Sequence, residues 1–340
     1  MNGMQKGLAL LVLCVFCQSG YAHVRWFASP DAMDTTHFSL DTVSLLLMAG
    51  AILYCALCIA LQQMARQSRS WCHWLMAPLR SDGVEWDLLR ASIAFLFIGN
   101  ILTNVFIAPN LTHPRITSDF TTVVQAVLII VLVLSPALFA CGLLIEVGLL
   151  FFIFGAESCM DYVFELVAVA LALFIAHRRV PIRFSFLKRG APLTHEERDN
   201  LCCTIIRLGI GLQLIELAIH NKFMNPGMAL QFVDDHSYFN FIAALGVNSF
   251  TNLHFALSAG LAELSFGLLL LLNIAGRFVA ACVLFFFSLT SVILGLHELI
   301  GHVPIIVCLL TIIIRPGCFS VFDVKQILLH RLHRRTVPGL

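Results

Sequence analysis

The sequence predicts an all-α, polytopic integral membrane protein, and three observations carry that reading. Hydrophobic residues make up 59% of the 340-residue chain and charged residues only 12%, whereas soluble domains carry about 25% charge. The apolar residues fall into many runs that approach the ~20 residues needed to span a bilayer. Basic residues gather in alternate connecting segments instead of being spread evenly. A net charge of +1 excludes a broadly basic nucleic-acid binder, and the chain has no phosphate loop, no G-x-G-x-x-G turn and no H-E-x-x-H helix.

Taken in order, residues 1–22 read as a signal peptide. Lys6 precedes a short apolar region from Leu8 to Phe16, and Gly20-Tyr21-Ala22 places small residues before a cleavage point. Cleavage there would make His23 the mature N-terminus, with 23–40 periplasmic; the alternative is an uncleaved first anchor. A mature His23, joined by a second histidine such as His37, would offer a copper brace. Apolar runs then predict helices near 41–63, 89–108, 120–136, 138–156, 160–177, 202–221, 254–272, 276–295 and 303–315, nine spans in all. The split at Pro136 follows from proline's missing donor, which bends or ends a helix.

Charge predicts the orientation. Arg66, Arg69, Arg80 and Arg90 surround the loop 64–87, and six basic residues from Arg178 to Arg198 mark the linker 181–204 and its approach. Arg315 to Arg335 make the tail 316–340 basic, while 109–119 and 222–253 carry one basic residue each. Basic segments face the cytoplasm. Nine spans after an exported N-terminus put every basic segment inside, with the mature N-terminus periplasmic and the C-terminus cytoplasmic.

An internal repeat emerges at matched helix starts. Leu88-Leu89-Arg90, followed by Asn104, Phe106 and Pro109, keeps the spacing of Ile205-Ile206-Arg207, followed by Asn221, Phe223 and Pro226. Gln125 pairs with Glu263, and Gly155 with Gly295. Two four-helix units, 88–180 and 205–315, follow one extra span. Each begins inside, so the two are parallel, related by an axis along the membrane normal.

Each unit resembles the DoxX-like four-helix membrane module, the second more closely. The residues that carry the resemblance are Arg207-Leu208-Gly209 with Gly211-Leu212, Asn221-Lys222, Pro226, Ala262-Glu263-Leu264 with Gly267, Gly276-Arg277, and Gly301-His302-Val303-Pro304 ahead of the last helix. The first unit departs from the pattern at Pro136-Ala137 and lacks the His-x-Pro. The resemblance implies a bacterial inner-membrane protein. Members include a subunit linked to terminal quinol oxidase and to thiosulfate:quinone oxidoreductase, so a quinone cofactor and a membrane or periplasmic oxidoreductase partner are implied. No catalytic residue carries over.

Ionisable residues inside spans are costly and are the first candidates for chemistry. Gln213, Glu216 and His220 follow one helix face at spacings of three and four, and Glu263 is their expected partner as a ligand set or proton relay. The same row could instead hold helices together by hydrogen bonds. Glu146, Asp161 and Glu165 are intramembrane acids, the last two on one face and able to attract a cation. A second, periplasmic metal set would use His254, His297, Glu298 and His302, since imidazole and carboxylate suit zinc, copper or iron. The run His297-Glu298-Leu299-Ile300-Gly301-His302 has one residue too many for a zinc-protease helix. Cys55-x-x-Cys58 reads as packing or as a soft-metal pair. Three functions follow from these residues: a redox-associated quinone-binding or accessory subunit, a transporter or channel for a cation or small solute, and a scaffold without chemistry.

Reporter fusions should place 64–87, 181–204 and 316–340 in the cytoplasm and 109–119 and 222–253 outside. A cytoplasmic signal from 222–253 would overturn both the span count and the parallel repeat.

Overall fold

The computed structural model describes residues 37–67, 79, 83–108, 111, 117–177 and 194–315, with the side chain of His297 excepted. The signal-peptide reading, His23, Pro109, most of the two basic loops and the tail 316–340 lie outside the described residues. Within them the protein is all helix, with no strand: α1 (Thr42–Gln67), α2 (Val84–Thr103), α3 (Ser118–Leu134), α4 (Pro136–Ala176), α5 (His195–Ala218), a π turn (Ile219–Met224), α6 (Pro226–Asp235), a 3-10 turn (Ser237–Phe239), α7 (Phe241–Ala244), α8 (Asn252–Leu272), α9 (Gly276–Leu294) and α10 (Leu296–Ile314). Six of these, α1, α2, α4, α5 with its π turn, α8 and α9, are long and apolar enough to cross a membrane, while α3 and α10 are apolar but shorter. The chain is therefore a multi-pass membrane protein.

Local chemistry sets the helix ends. Thr194 and Glu197 form a reciprocal capping box at the start of α5, and Ser135 caps α4 with Pro136 in the first turn, where its missing N–H costs nothing. Asn104 and Asn273 end α2 and α8 in the left-handed conformation.

Several boundaries differ from those the sequence predicts. The spans expected at 138–156 and 160–177 are one helix, α4, broken only at Gly155 (φ 80°, ψ 166°). A straight helix of 41 residues would be ~60 Å long, twice the hydrocarbon thickness, so it must turn. Glycine alone enters this region freely, and one residue suffices. Gly295 separates α9 from α10 in nearly the same conformation (φ 89°, ψ −158°). The last helix begins at Leu296 instead of 303, so Gly301 to Pro304 lie inside α10 and do not precede it. The sparse segment 222–253 is built of short helices and turns.

The helices pack in a cyclic order. Helix α4 packs on α5, α5 on α8, α9 on α10, and α10 on α2. The last helix of each proposed unit thus lies against the first helix of the other. Helix α1 joins from one side, along α8. Tyr54 meets Phe266 edge-on at 5.5 Å, and Gln62 Oε1 accepts the Ala275 N–H at 3.0 Å. At the other end, Asp41 accepts the Ser44 N–H at 2.8 Å and the His254 Nε2–H at 2.8 Å. The Ser44 N–H and then His254 hold the Asp41 carboxyl down to about 2. This contact therefore persists above the ordinary carboxylate range and is lost only as the pH falls towards 2.

Glycines fix the central crossings. A Cβ on Gly209 of α5 would stand 2.2 Å from Ala168 Cβ and 2.7 Å from the Phe164 carbonyl oxygen of α4. One on Gly267 of α8 would stand 2.7 Å from the Gly211 carbonyl oxygen. Such small-residue contacts let membrane helices approach closely. Gly209→Ala should therefore destabilise the protein by about 1–3 kcal/mol, read by unfolding in mixed micelles. Gly148→Ala, where nothing lies within 4 Å, should not.

Candidate functional site

Helix α5 lies between α4 and α8 and presents polar side chains to both. Gln213, 2% exposed, donates from Nε2 to the Met160 carbonyl at 3.0 Å and accepts the Phe164 N–H at Oε1 at 3.1 Å. Met160 and Phe164 are the i and i+4 groups that an unbroken α-helix pairs with each other. The glutamine amide is inserted into that ladder of α4, just after the Gly155 break. Gln213 is thus a pin between helices, and both ends of its amide are occupied by backbone.

One turn further along α5, Glu216 Oε1 meets His220 Nδ1 at 3.3 Å. From α4, Asp161, with no exposure, accepts the Asn221 Nδ2–H at 3.2 Å. One ligand atom from each of Asp161, Glu216 and His220 lies within 4.8 Å of the other two. Metal bonds of ~2.1 Å place tetrahedral neighbours ~3.4 Å apart, so a contraction of at most ~1.4 Å would close the three on an ion. Glu216 and His220 are 11% and 21% exposed, which leaves the mouth on the His220 side. Glu165 follows Asp161 one turn deeper, and its buried Oε2 has no hydrogen-bond partner.

The carboxylate and imidazole of Glu216 and His220 come from one face, as their spacing predicts, and Asp161 reaches them from α4. The remaining candidates separate. Glu263 of α8 does not join the group of Asp161, Glu216 and His220 and is bound to Lys222 Nζ at 2.7 Å, with side chains 2% and 0% exposed. Lys222 belongs to the π turn, inside the helical body and not in an outer loop. Glu146 is buried on the first half of α4, with no hydrogen bond to either oxygen.

The metal set expected at His254, His297, Glu298 and His302 is not brought together among its described members. His254 is spent at the start of α8: its Nδ1 accepts the Thr251 N–H at 3.1 Å, so Nε2 carries the proton given to Asp41. Glu298 and His302 form a separate buried pair at 3.3 Å within α10, the His302 ring standing edge-on to Phe287. The His297 side chain lies outside the described residues. Cys55 and Cys58 are free thiols, Cys58 fully buried.

Sequence reasoning missed Lys222 and the link between Asp161 and α5. The repeat frame contains a signal for Lys222, and none for the Asp161 link. Carried one residue beyond the matched asparagines, it sets Val105 against Lys222, where Gln125 stands against Glu263. In the first half Gln125 donates to the Val105 carbonyl at 3.0 Å, and in the second the same two places hold the ion pair. Comparison of the chain with protein-family models, curated proteins and solved structures finds no match.

If Gln213 is a pin, Gln213→Leu should cost about 1 kcal/mol, the scale of interhelical hydrogen bonds in membranes. Gln213→Glu should cost more, because a carboxylate faces the Met160 carbonyl. Unfolding titrations of the two variants would check the order.

Proposed function

We propose that the protein binds a divalent transition-metal cation at Asp161, Glu216 and His220 and serves its passage through the membrane. The observation that carries this reading is the convergence of three ligand atoms from two different helices inside an apolar bundle. The donor set fits the class of ion. Two carboxylates balance a charge of two in a medium where net charge is expensive. One imidazole favours zinc, cobalt, iron or manganese over magnesium or calcium, and the absence of thiolate from the set disfavours copper(I). Asp161, Glu216 and His220 would hold the ion, Asn221 would orient the Asp161 carboxylate, and Gln213 would keep α4 at its distance from α5.

The same reading includes nine spans, with α3, α10 and the two halves of α4 each counted as one. It also includes two parallel DoxX-like units, a bacterial inner-membrane location and a cytoplasmic C-terminus. The matched conformations of Gly155 and Gly295 and the cyclic packing of α4 on α5 and α10 on α2 support the repeat. The redox alternative would seat a quinone headgroup against Glu216, His220 and Glu263. It has less support, because Glu263 already holds Lys222.

Purified protein in nanodiscs should bind Zn²⁺ or Co²⁺ at one site per chain. Asp161→Asn, Glu216→Gln and His220→Ala should each weaken binding by at least about tenfold, since even residues that only support metal ligands matter that much. Proteoliposomes should take up the ion with the same ranking. Unchanged binding in any one of the three variants would end the proposal of this three-ligand site, and co-purifying quinone lost from Glu216→Gln would favour the redox alternative.

A further inference from the structure

The metal reading leaves the buried Lys222–Glu263 ion pair unused, and the repeat shows where it belongs. In the frame that matches Arg90 to Arg207, Glu216 corresponds to Gly99, His220 to Thr103 and Lys222 to Val105. The first half therefore lacks both the ligands and the lysine. There α2 stops at Asn104 in a left-handed cap. Gln125 settles on the Val105 carbonyl, and Ile300 of α10 packs on Gly99, within 2.6 Å of where a Cβ would be. In the second half the helix does not stop. It widens into the π turn Ile219–Met224, which carries His220, Asn221 and Lys222 in succession.

The π turn is held from two sides. Asn221 reaches α4 at Asp161, and Lys222 reaches α8 at Glu263. Gly260 of α8 makes room for it: a Cβ there would stand 3.2 Å from Lys222 Cβ and 3.0 Å from the Phe223 ring. Asn225 closes the turn on the His220 carbonyl at 2.9 Å. A π turn carries an extra residue that an ordinary helix would expel, and such turns recur at functional sites. Charges this deeply buried are held only when paired, and this pair joins the turn to a helix outside the ligand set.

We infer that the Lys222–Glu263 ion pair is the positioning device of the metal site: it fixes the π turn against α8 so that His220 and Asn221 face Asp161 and Glu216. The inference rests on the metal reading. It assigns to Lys222 and Glu263 no contact with the ion.

The test is Co²⁺ titration of the full-length protein in nanodiscs, followed by visible absorption, which reports the ligand set. The main variant is the double substitution Lys222→Met/Glu263→Leu, which leaves no charge uncompensated, so the bundle can persist while the turn loses its anchor. Co²⁺ should bind about tenfold or more weakly, the scale for residues that orient metal ligands. The spectrum should change, and helicity and thermal transition should stay near wild type. Lys222→Arg, which keeps the pair, should restore affinity and spectrum. A folded double variant with wild-type affinity and spectrum overturns the inference. Should the double variant not fold, Glu263→Asp decides: weaker binding with an altered spectrum supports positioning, and unchanged binding overturns it. His220→Ala separates the two claims. If it binds Co²⁺ like wild type, the metal reading itself fails. If it loses the ion while the double variant keeps it, only the positioning role fails.

Discussion

The placement of α5 against both of its neighbours is the constraint on which the rest of the molecule depends. Without a side chain at Gly209, α5 meets the α4 backbone, and with Gly211 opposite Gly267 it meets that of α8. Bulkier residues would hold the axes apart, and no medium-length polar side chain could then bridge both gaps. The Gln213 amide in the α4 ladder, Asn221 on Asp161 and Lys222 on Glu263 are all consequences of that approach. In a bilayer, where apolar contact alone gives helices little reason to associate, close packing and interhelical hydrogen bonds decide the arrangement.

The same economy governs the charges away from the site. The buried Arg207 guanidinium donates to the Leu270 and Leu271 carbonyls at the end of α8. Arg277 donates to the Ile313 carbonyl at the end of α10. Both reach carbonyls in the last turn of a helix, where a positive charge also suits the dipole. Arg315 gathers Glu85 and Asp199, and Asp199 in turn accepts the Trp86 indole N–H at 3.1 Å. Three helices that are far apart in sequence are thereby tied at one end.

Much of this was legible in the sequence because hydrophobic length and fixed spacing survive folding unchanged. Pro136 marks a break between helices, and the row Gln213, Glu216, His220 a single face, whereas the span expected at 89–108 stops short at the Asn104 cap. What was not legible depended on contacts between segments. Glu157 and Ser158 look like a wet break, yet they continue a helix because Gly155 alone absorbs the turn. Lys222 looks like a loop residue because nothing local announces the ion pair that buries it. Asp161 looks like a helix-end acid until α5 is laid beside it. The His-x-Pro of α10 reads as a boundary, but Pro304 is carried within the helix.

The pairing of Arg315 with Glu85, together with the Leu79 N–H on the Ile314 carbonyl, brings the end of α10 to the threshold of α2. The covalent link between the halves runs through 178–193, while the halves also meet at this second seam, which no peptide bond crosses. For the helices from α2 to α10, a circular permutation opened in that linker and joined from the end of α10 to the start of α2 would bury the same surfaces in a different order. Those helices thus close into a ring, which the chain enters at α2 after laying α1 along its outside.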